Sequence, residues 1–316
     1  MPIFRGGKQI SFTRISEVIT HPQPLRRSYG TKEHRNILHY FAKTPTSIYC
    51  PHFWELRWAY GCPYNCAYCY LQGTFRGRKE ASLSHPLEHI LKTLEIFFSE
   101  EPNSWLFNSG ELADSLMFPS IMEKIANKFE EQRKHKLLLL TKSSNVRFLI
   151  EKPRRQTIVS FSINVPEVWK LWEKRTPHPE KRIEAARKVK EVGYETRIRI
   201  DPIFPIDNWR EYYENLLNMI FKKLKPDRIT LGTPRGLRKT LLFSEDNSWT
   251  KYLSEDSGWG KKLSSPLRKE IYIFFNDKLN DLGFNRIGLC KETVIIWKEL
   301  EKEAKNFKKE MCNCEL

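Results

Sequence analysis

Three cysteines fall within eight positions of the segment GCPYNCAYCYLQ, at Cys62, Cys66 and Cys69. Reduced thiols on a loop beside Gly and Pro are reactive, so this spacing points to metal ligation rather than to chance. Two donor sets fit the pattern. A structural zinc takes four ligands, and Cys50 or His52 upstream would have to supply the fourth. An iron–sulfur cluster held by only three thiolates leaves one iron open for a reactant. Cluster-dependent radical chemistry with S-adenosylmethionine (SAM) uses such a vacancy.

Further chemistry sits just after apolar runs. NSGELAD (108–114), TKSS (141–144), SIN (162–164), DPIFP (201–205) and GTPRGLRK (232–239) each add polar or charged groups at the end of a strand-like stretch. Ligands bind at the carboxyl ends of parallel strands in α/β architectures. Turn residues are polar anyway, but Glu111 and Lys142 are not turn formers and argue for a shared site.

The elements that must position these groups alternate. Apolar, β-branched or aromatic runs at 53–60, 104–107, 136–141, 157–163, 195–200 and 228–231 read as strands. Helical spacing fills 85–100, 119–132, 166–192 and 207–224, the last opening on Asp207 as a candidate N-cap. The connection at 143–156 is short. Six βα units predict a parallel α/β arrangement, an open sheet or partial barrel. Beyond residue 232 come a loop with two similar segments (244–249 and 254–259), a helix at 265–279, a strand at 284–289 and a last helix from 292 to 309. The division expected is a basic N-terminal arm at 1–50, a barrel at 51–240 and a C-terminal extension at 241–316.

Fifty-four basic against 38 acidic residues leave a net charge of +16, which attracts polyanions, nucleic acid first among them. No run approaches a membrane span and no apolar signal core opens the chain, so a cytoplasmic protein with reduced thiols is expected. Oligomeric state is not legible. Cys290, Cys312 and Cys314 near the C-terminus, with Cys50, fit a second metal or cluster, a redox or donor thiol, or incidental cysteines.

The order Cys62-x3-Cys66-x2-Cys69 with Tyr68 before the last cysteine resembles the radical SAM superfamily signature. YNCAYCYLQ, an acidic polar turn, TK and FSIN together resemble the spore photoproduct lyase-like family over roughly residues 50–235. The resemblance implies a partial (β/α)6 radical SAM barrel, and a [4Fe–4S] cluster on the three cysteines with SAM on its open iron. It also implies reductive cleavage to a 5′-deoxyadenosyl radical, a nucleic-acid substrate (DNA before RNA) and an electron donor such as flavodoxin or ferredoxin. By it, Ser109, Gly110 and Glu111 stand where the superfamily contacts the SAM amino group, and Lys142 and Ser162 match other SAM-contacting positions. Tyr68 and Tyr70 match two tyrosines used in hydrogen transfer; as plain residues they serve equally as aromatic cover for the loop. Arg235, Arg238 and Lys239 match a segment that contacts DNA, or form a solvated loop, and Trp249 and Trp259 stack on bases or pack inside. One position departs: the family's hydrogen-donating cysteine is Asn108 here. Peptide or metabolite modification by the same chemistry, or a zinc-stabilised binding module without catalysis, are the other readings of these residues.

Overall fold

The computed structural model describes residues 23–30, 36–77, 80–304 and 306–316; residues 1–22 and 31–35 of the expected arm lie outside them. Nine strands form one sheet in chain order from edge to edge. They are β1 (Ser28–Tyr29), β2 (Leu38–Phe41), β3 (Phe53–Leu56), β4 (Leu106–Asn108) and β5 (Lys136–Thr141). Then come β6 (Thr157–Ser162), β7 (Glu195–Ile200), β8 (Arg228–Leu231) and β9 (Ile287–Leu289). The pairs β1–β2 and β2–β3 are antiparallel, and every pair from β3 to β9 is parallel. All six predicted strands are present. The strand expected inside the C-terminal extension joins the same sheet beside β8.

Side chains alternate across this sheet with period two. Trp54, Phe107, Leu137, Leu139, Val159, Phe161, Ile198 and Ile229 belong to the large core under the helices. Phe53, Leu106, Leu138 and Ile158 face the other way, into a small cluster with Cys312 and Cys314. In register with them stand Asn108, Ser160, Arg197, Arg199, Arg228 and Thr230. A parallel strand covered on both faces normally reads as a continuous apolar run. Arginine at every second position of ETRIRI therefore marks an inner face that is polar.

The C-terminal tail fills that inner face and shows that the sheet curls. Asn313 Nδ2 donates to Ser160 Oγ on β6 at 2.7 Å and to the Ile198 carbonyl on β7 at 3.0 Å. Its backbone N–H donates to Thr230 Oγ1 on β8 at 2.8 Å. Arg197 donates to the Asn313 carbonyl at 2.7 Å, and Arg228 to the Leu316 carbonyl at 2.7 Å. On β9, a Cβ on Gly288 would stand 2.5 Å from the Cys312 nitrogen, so glycine is required for the tail to pass. One short segment touches strands from β4 to β9 only because they wrap around it.

The helices cover the outside. They are α1 (Leu71–Thr74), α2 (Leu87–Glu100), α3 (Pro119–Glu130), α4 (Arg147–Glu151), α5 (Pro166–Trp172), α6 (Pro179–Glu191), α7 (Trp209–Lys223), α8 (Arg238–Phe243), α9 (Ser265–Asp281) and α10 (Val294–Glu303). The helical pattern at 166–192 divides into α5 and α6. Pro177 and Pro179 remove backbone donors and push the residues before them out of helical conformation. In the break, Glu173–Lys174 pairs antiparallel with Asn65–Cys66 of the cysteine loop. Asp207 does not cap α7; Asn208 occupies the cap in a left-handed conformation (φ 57°) without a side-chain hydrogen bond. The connection 143–156 holds α4. Trp249 is fully buried among core aromatics, which removes it from base stacking.

Candidate active site at the carboxyl ends of the strands

A cavity of about 320 Å³ opens where the parallel strands end, and each contributes to it: Glu55 from β3, Gly110 and Glu111 after β4, Lys142 after β5, Ser162 from β6, Arg199 from β7 and Asp201 just after it, Arg235 after β8 and Lys291 after β9. Cys62, Cys66, Cys69, Tyr68 and Tyr70 line it from the loop above. A larger cleft of about 790 Å³ lies on the outer face between α4, α6 and α7 and has no cysteine in its walls.

Local chemistry shapes the loop. Trp58, fully buried, donates its indole N–H to the Ser109 carbonyl at 2.9 Å, tying the loop's stem to the turn after β4. Gly61 has φ +81°, and a Cβ there would lie 2.3 Å from the Glu80 carbonyl oxygen. The Ala67 N–H donates to the Trp172 carbonyl at 2.9 Å, and Ser244 Oγ to the Ala67 carbonyl at 2.7 Å. Gln72 Nε2 donates to Asn65 Oδ1 at 2.6 Å. Burial pushes the Cys62, Cys66 and Cys69 thiols up from their ordinary value, so an additional cation is needed to hold them as thiolates.

Two buried acids organise the walls. Glu173 takes the Tyr68 hydroxyl, Arg182 at 2.6 Å and Lys142 at 3.7 Å. Burial would raise it, but the Lys142 and Arg182 charges outweigh that and hold it low. Glu111 accepts Asn108 Nδ2 at 3.0 Å and Tyr70 OH at 3.3 Å, with Lys291 at 3.6 Å. Burial is again overcome, here by Lys291 and Arg199, and the carboxyl is held below the usual range. Behind them Asp114 takes Thr141 Oγ1 and the Lys142 N–H, both at 2.7 Å, which locks the turn that presents Lys142. The Lys142 ammonium also donates to Ser162 Oγ at 2.5 Å.

The expected SAM-contacting positions thus come together, except for Ser109. Its hydroxyl pairs with Ser115 Oγ at 2.8 Å and donates to the Leu138 carbonyl at 2.9 Å, away from the cavity. Gly110 is forced: a Cβ would stand 2.6 Å from Leu140 Cβ. Tyr68 and Tyr70 have partners on acids and line the cavity at once. Arg235 does not offer a free charge to phosphate, since Asp201 holds it at 3.0 Å and the Cys290 carbonyl at 3.1 Å. Arg238 and Lys239 are exposed on α8.

The tail cysteines are bonded to neighbouring side chains, and a second metal site on them is not shown. Among the described residues, no three His, Cys, Asp or Glu side chains are grouped as ligands of one ion. Cys290 accepts from Arg199 Nη2, and Cys314 from Asn108 Nδ2 at 3.6 Å. Three soft thiols facing one cavity, with no fourth beside them, fit a larger group bound on one side, the donor set of a site-differentiated [4Fe–4S] cluster.

Sequence reasoning missed Glu173, Arg199 and Lys291, and had Asp201 only as the first residue of a strand-end segment. The alternation in ETRIRI could have exposed Arg199. Nothing local marks Glu173 or Lys291, which reach the cavity through a helix break and through the last strand.

A parallel sheet curled around a polar interior, with a three-thiol loop over its carboxyl end, is the radical SAM class of α/β fold. The family model of spore photoproduct lyase matches residues 36–231. The spore photoproduct lyase of Clostridium acetobutylicum is 31% identical over 170 residues, covering 52% of this chain and 50% of that protein. That of Bacillus subtilis is 29% identical over 198 residues, covering 61% and 56%. A solved spore photoproduct lyase complexed with dinucleoside spore photoproduct matches with TM-score 0.62 at 22% identity, covering 72% of this chain and 73% of that one. The chain belongs to the spore photoproduct lyase family. It spans about half the length of the curated relatives it matches, and Trp259, Lys291 and the tail thiols lie beyond the family segment.

Proposed function

We propose that this chain is a radical SAM enzyme acting on a nucleic-acid lesion of the thymine-dimer type. The observation that carries the reading is the single cavity shared by Cys62, Cys66, Cys69, Glu111, Lys142 and Ser162. Relatives support it: a solved family member is described with bound AdoMet and dinucleoside spore photoproduct.

When bound, the cluster supplies one electron to SAM, which releases methionine and a 5′-deoxyadenosyl radical. The chain's own residues do the rest. Cys62, Cys66 and Cys69 hold the cluster at the open end of the strands. Glu111, kept ionised by Lys291 and Arg199, takes the ammonium of SAM; Lys142 and Ser162 take its carboxylate. Gly110 permits the backbone to approach. Tyr68 and Tyr70 present oxidisable hydroxyls to the cavity, held in direction by Glu173 and Glu111. Arg238 and Lys239 lie on α8, which packs on α1 beside the cysteine loop, and neutralise substrate phosphates from outside. Arg235 is reassigned from phosphate contact to holding Asp201.

Anaerobic reconstitution with iron and sulfide, then dithionite and SAM, should yield 5′-deoxyadenosine. A cluster-replete sample that yields none overturns the reading. Deuterium moving from labelled dinucleoside spore photoproduct into 5′-deoxyadenosine identifies the substrate. DNA affinity falling steeply with salt supports a polyanion partner, and salt-independent non-binding rejects it.

A further inference from the structure

Behind the Glu111 wall lies a group for which the proposed chemistry has no assigned use. The tail carries Cys312 and Cys314 into the inner face of the sheet, where both are buried. Cys314 receives Asn108 Nδ2 at 3.6 Å, and the same amide nitrogen donates to Glu111 Oε1 at 3.0 Å. Tyr70, on the cavity side, donates to the Glu111 carbonyl and stands 3.3 Å from the other carboxylate oxygen. A continuous hydrogen-bonded line therefore runs from the tail thiol to the cavity: Cys314, Asn108, Glu111, Tyr70.

The thiol's surroundings are unusual for a filler. Free cysteine packs as a small hydrophobe, and Phe53, Leu106, Leu138 and Ile158 form such a niche. A filler requires no charge near it. Here the Cys312 thiol hydrogen-bonds to Cys314, Arg199 and Lys291 add positive charge, and burial and Glu111 oppose them; the net result pulls the thiol down to about 7. Cys50 and Glu315 face the same spot from their own segments. Cys312, in contrast, is pushed well up by its bond to Cys314 and by burial. The pair is asymmetric: one thiol poised to ionise, the other held protonated beside it. Its placement is built, since Asn313 between the two thiols is bonded to three strands.

We propose that Cys314 is an internal one-electron donor that closes the radical reaction in the cavity. This rests on the radical reading above. A carbon-centred substrate radical gains an electron from the Cys314 thiolate and the proton of the Tyr70 hydroxyl, forming a C–H bond, and the Tyr70 oxygen regains a proton from solvent when product leaves the cavity. Cys314 is left as a thiyl radical. An electron from the external low-potential donor, of the flavodoxin or ferredoxin class, returns it to thiolate. The sum is radical plus one electron plus one proton, and no other oxidant or reductant is needed. An electron crosses the wall formed by Asn108 and Glu111, so the thiol need not touch substrate. Burial behind that wall protects it from solution oxidants.

The test uses cluster-loaded full-length protein with dinucleoside spore photoproduct, comparing repaired product per 5′-deoxyadenosine formed. Cys314→Ser should keep 5′-deoxyadenosine formation within twofold while the product ratio falls at least tenfold, and an organic radical should persist in freeze-quenched paramagnetic resonance spectra. Asn108→Cys in the Cys314→Ser background moves the thiol one side chain along the line and should restore the ratio. An unchanged ratio in Cys314→Ser overturns the proposal and leaves the radical reading standing. No 5′-deoxyadenosine from wild type overturns both. If Cys314→Ser fails to fold, Cys312→Ala decides: it leaves Cys314 in place but removes its thiol partner, and should move the pH profile of the product ratio upward. A profile that does not move overturns the proposal.

Discussion

The two ends of the curled sheet put the same strands to opposite uses. At the carboxyl end, charged and thiol side chains from every parallel strand converge on a cavity, and the acids there, Glu111 and Glu173, are held ionised by neighbouring cations. At the amino end, the inner face is closed by residues 309–316, and nearly every polar group finds a backbone partner from the tail. Glu315 there is shifted the other way, pushed up to about 7 by burial and by Cys314. The difference teaches that polarity inside the sheet is not in itself a sign of a site. Arg197 and Arg199 are two residues apart on one strand and one face; one is consumed by the tail and the other is turned to the cavity.

This contrast can be broken at either end. Replacing Cys62, Cys66 and Cys69 together by Ala should abolish iron binding and 5′-deoxyadenosine formation while leaving the tail and fold intact. Iron found by elemental analysis in that variant would mean that the far end binds metal after all. Deleting residues 312–316 should do the reverse damage. It removes the Asn313, Glu315 and Leu316 partners of Arg197, Arg228 and Thr230, leaving Arg197 only Glu195 and Arg228 only the Glu310 carbonyl, and should destabilise the fold by about 2–4 kcal/mol in denaturant titration. Asn313→Ala removes bonds to Ser160, Thr230 and Ile198 alone, with an expected loss of about 2–3 kcal/mol and full retention of the iron site. Gly110→Ala forces a Cβ onto Leu140 and should lose about 1–3 kcal/mol, with SAM affinity falling more than stability if the turn shifts Glu111.

The smallest effect is in pH. Glu111 and Glu173 are depressed, so their contribution is present above the unfolded carboxylate range and lost as pH falls through their folded values. Glu315 is raised, so its contribution is complete below about 4.5 and lost as pH rises through about 7. Allowing for its part exposure, Glu315→Gln should flatten stability between those values by on the order of 1 kcal/mol. Acid should thus loosen the cavity first, and mild alkali the tail.

Much of this was legible in advance. C-x3-C-x2-C named the metal chemistry, and the six strand runs placed Glu111, Lys142 and Ser162 at one end of a parallel sheet. Arg235 faces the cavity as expected, but its pairing with Asp201 is not legible, because a basic residue after a strand looks the same whether or not an acid beside it is already paired. Glu173 was invisible because helical periodicity runs through 166–192, and only the prolines hint that it stops. Lys291 and Cys314 were ordinary tail residues until the last strand and the plug brought them to the cavity and to its wall.

The sequence by itself determined the local chemistry: ligand spacing, strand and helix periods, and the glycines where backbones must pass closely. Those depend on neighbours a few residues away, which the chain states directly. The tertiary structure alone decided which charges are spent on each other and which face the cavity. Those pairings join residues far apart in the chain, 206 positions for Asn108 and Cys314, and packing rather than spacing chooses them.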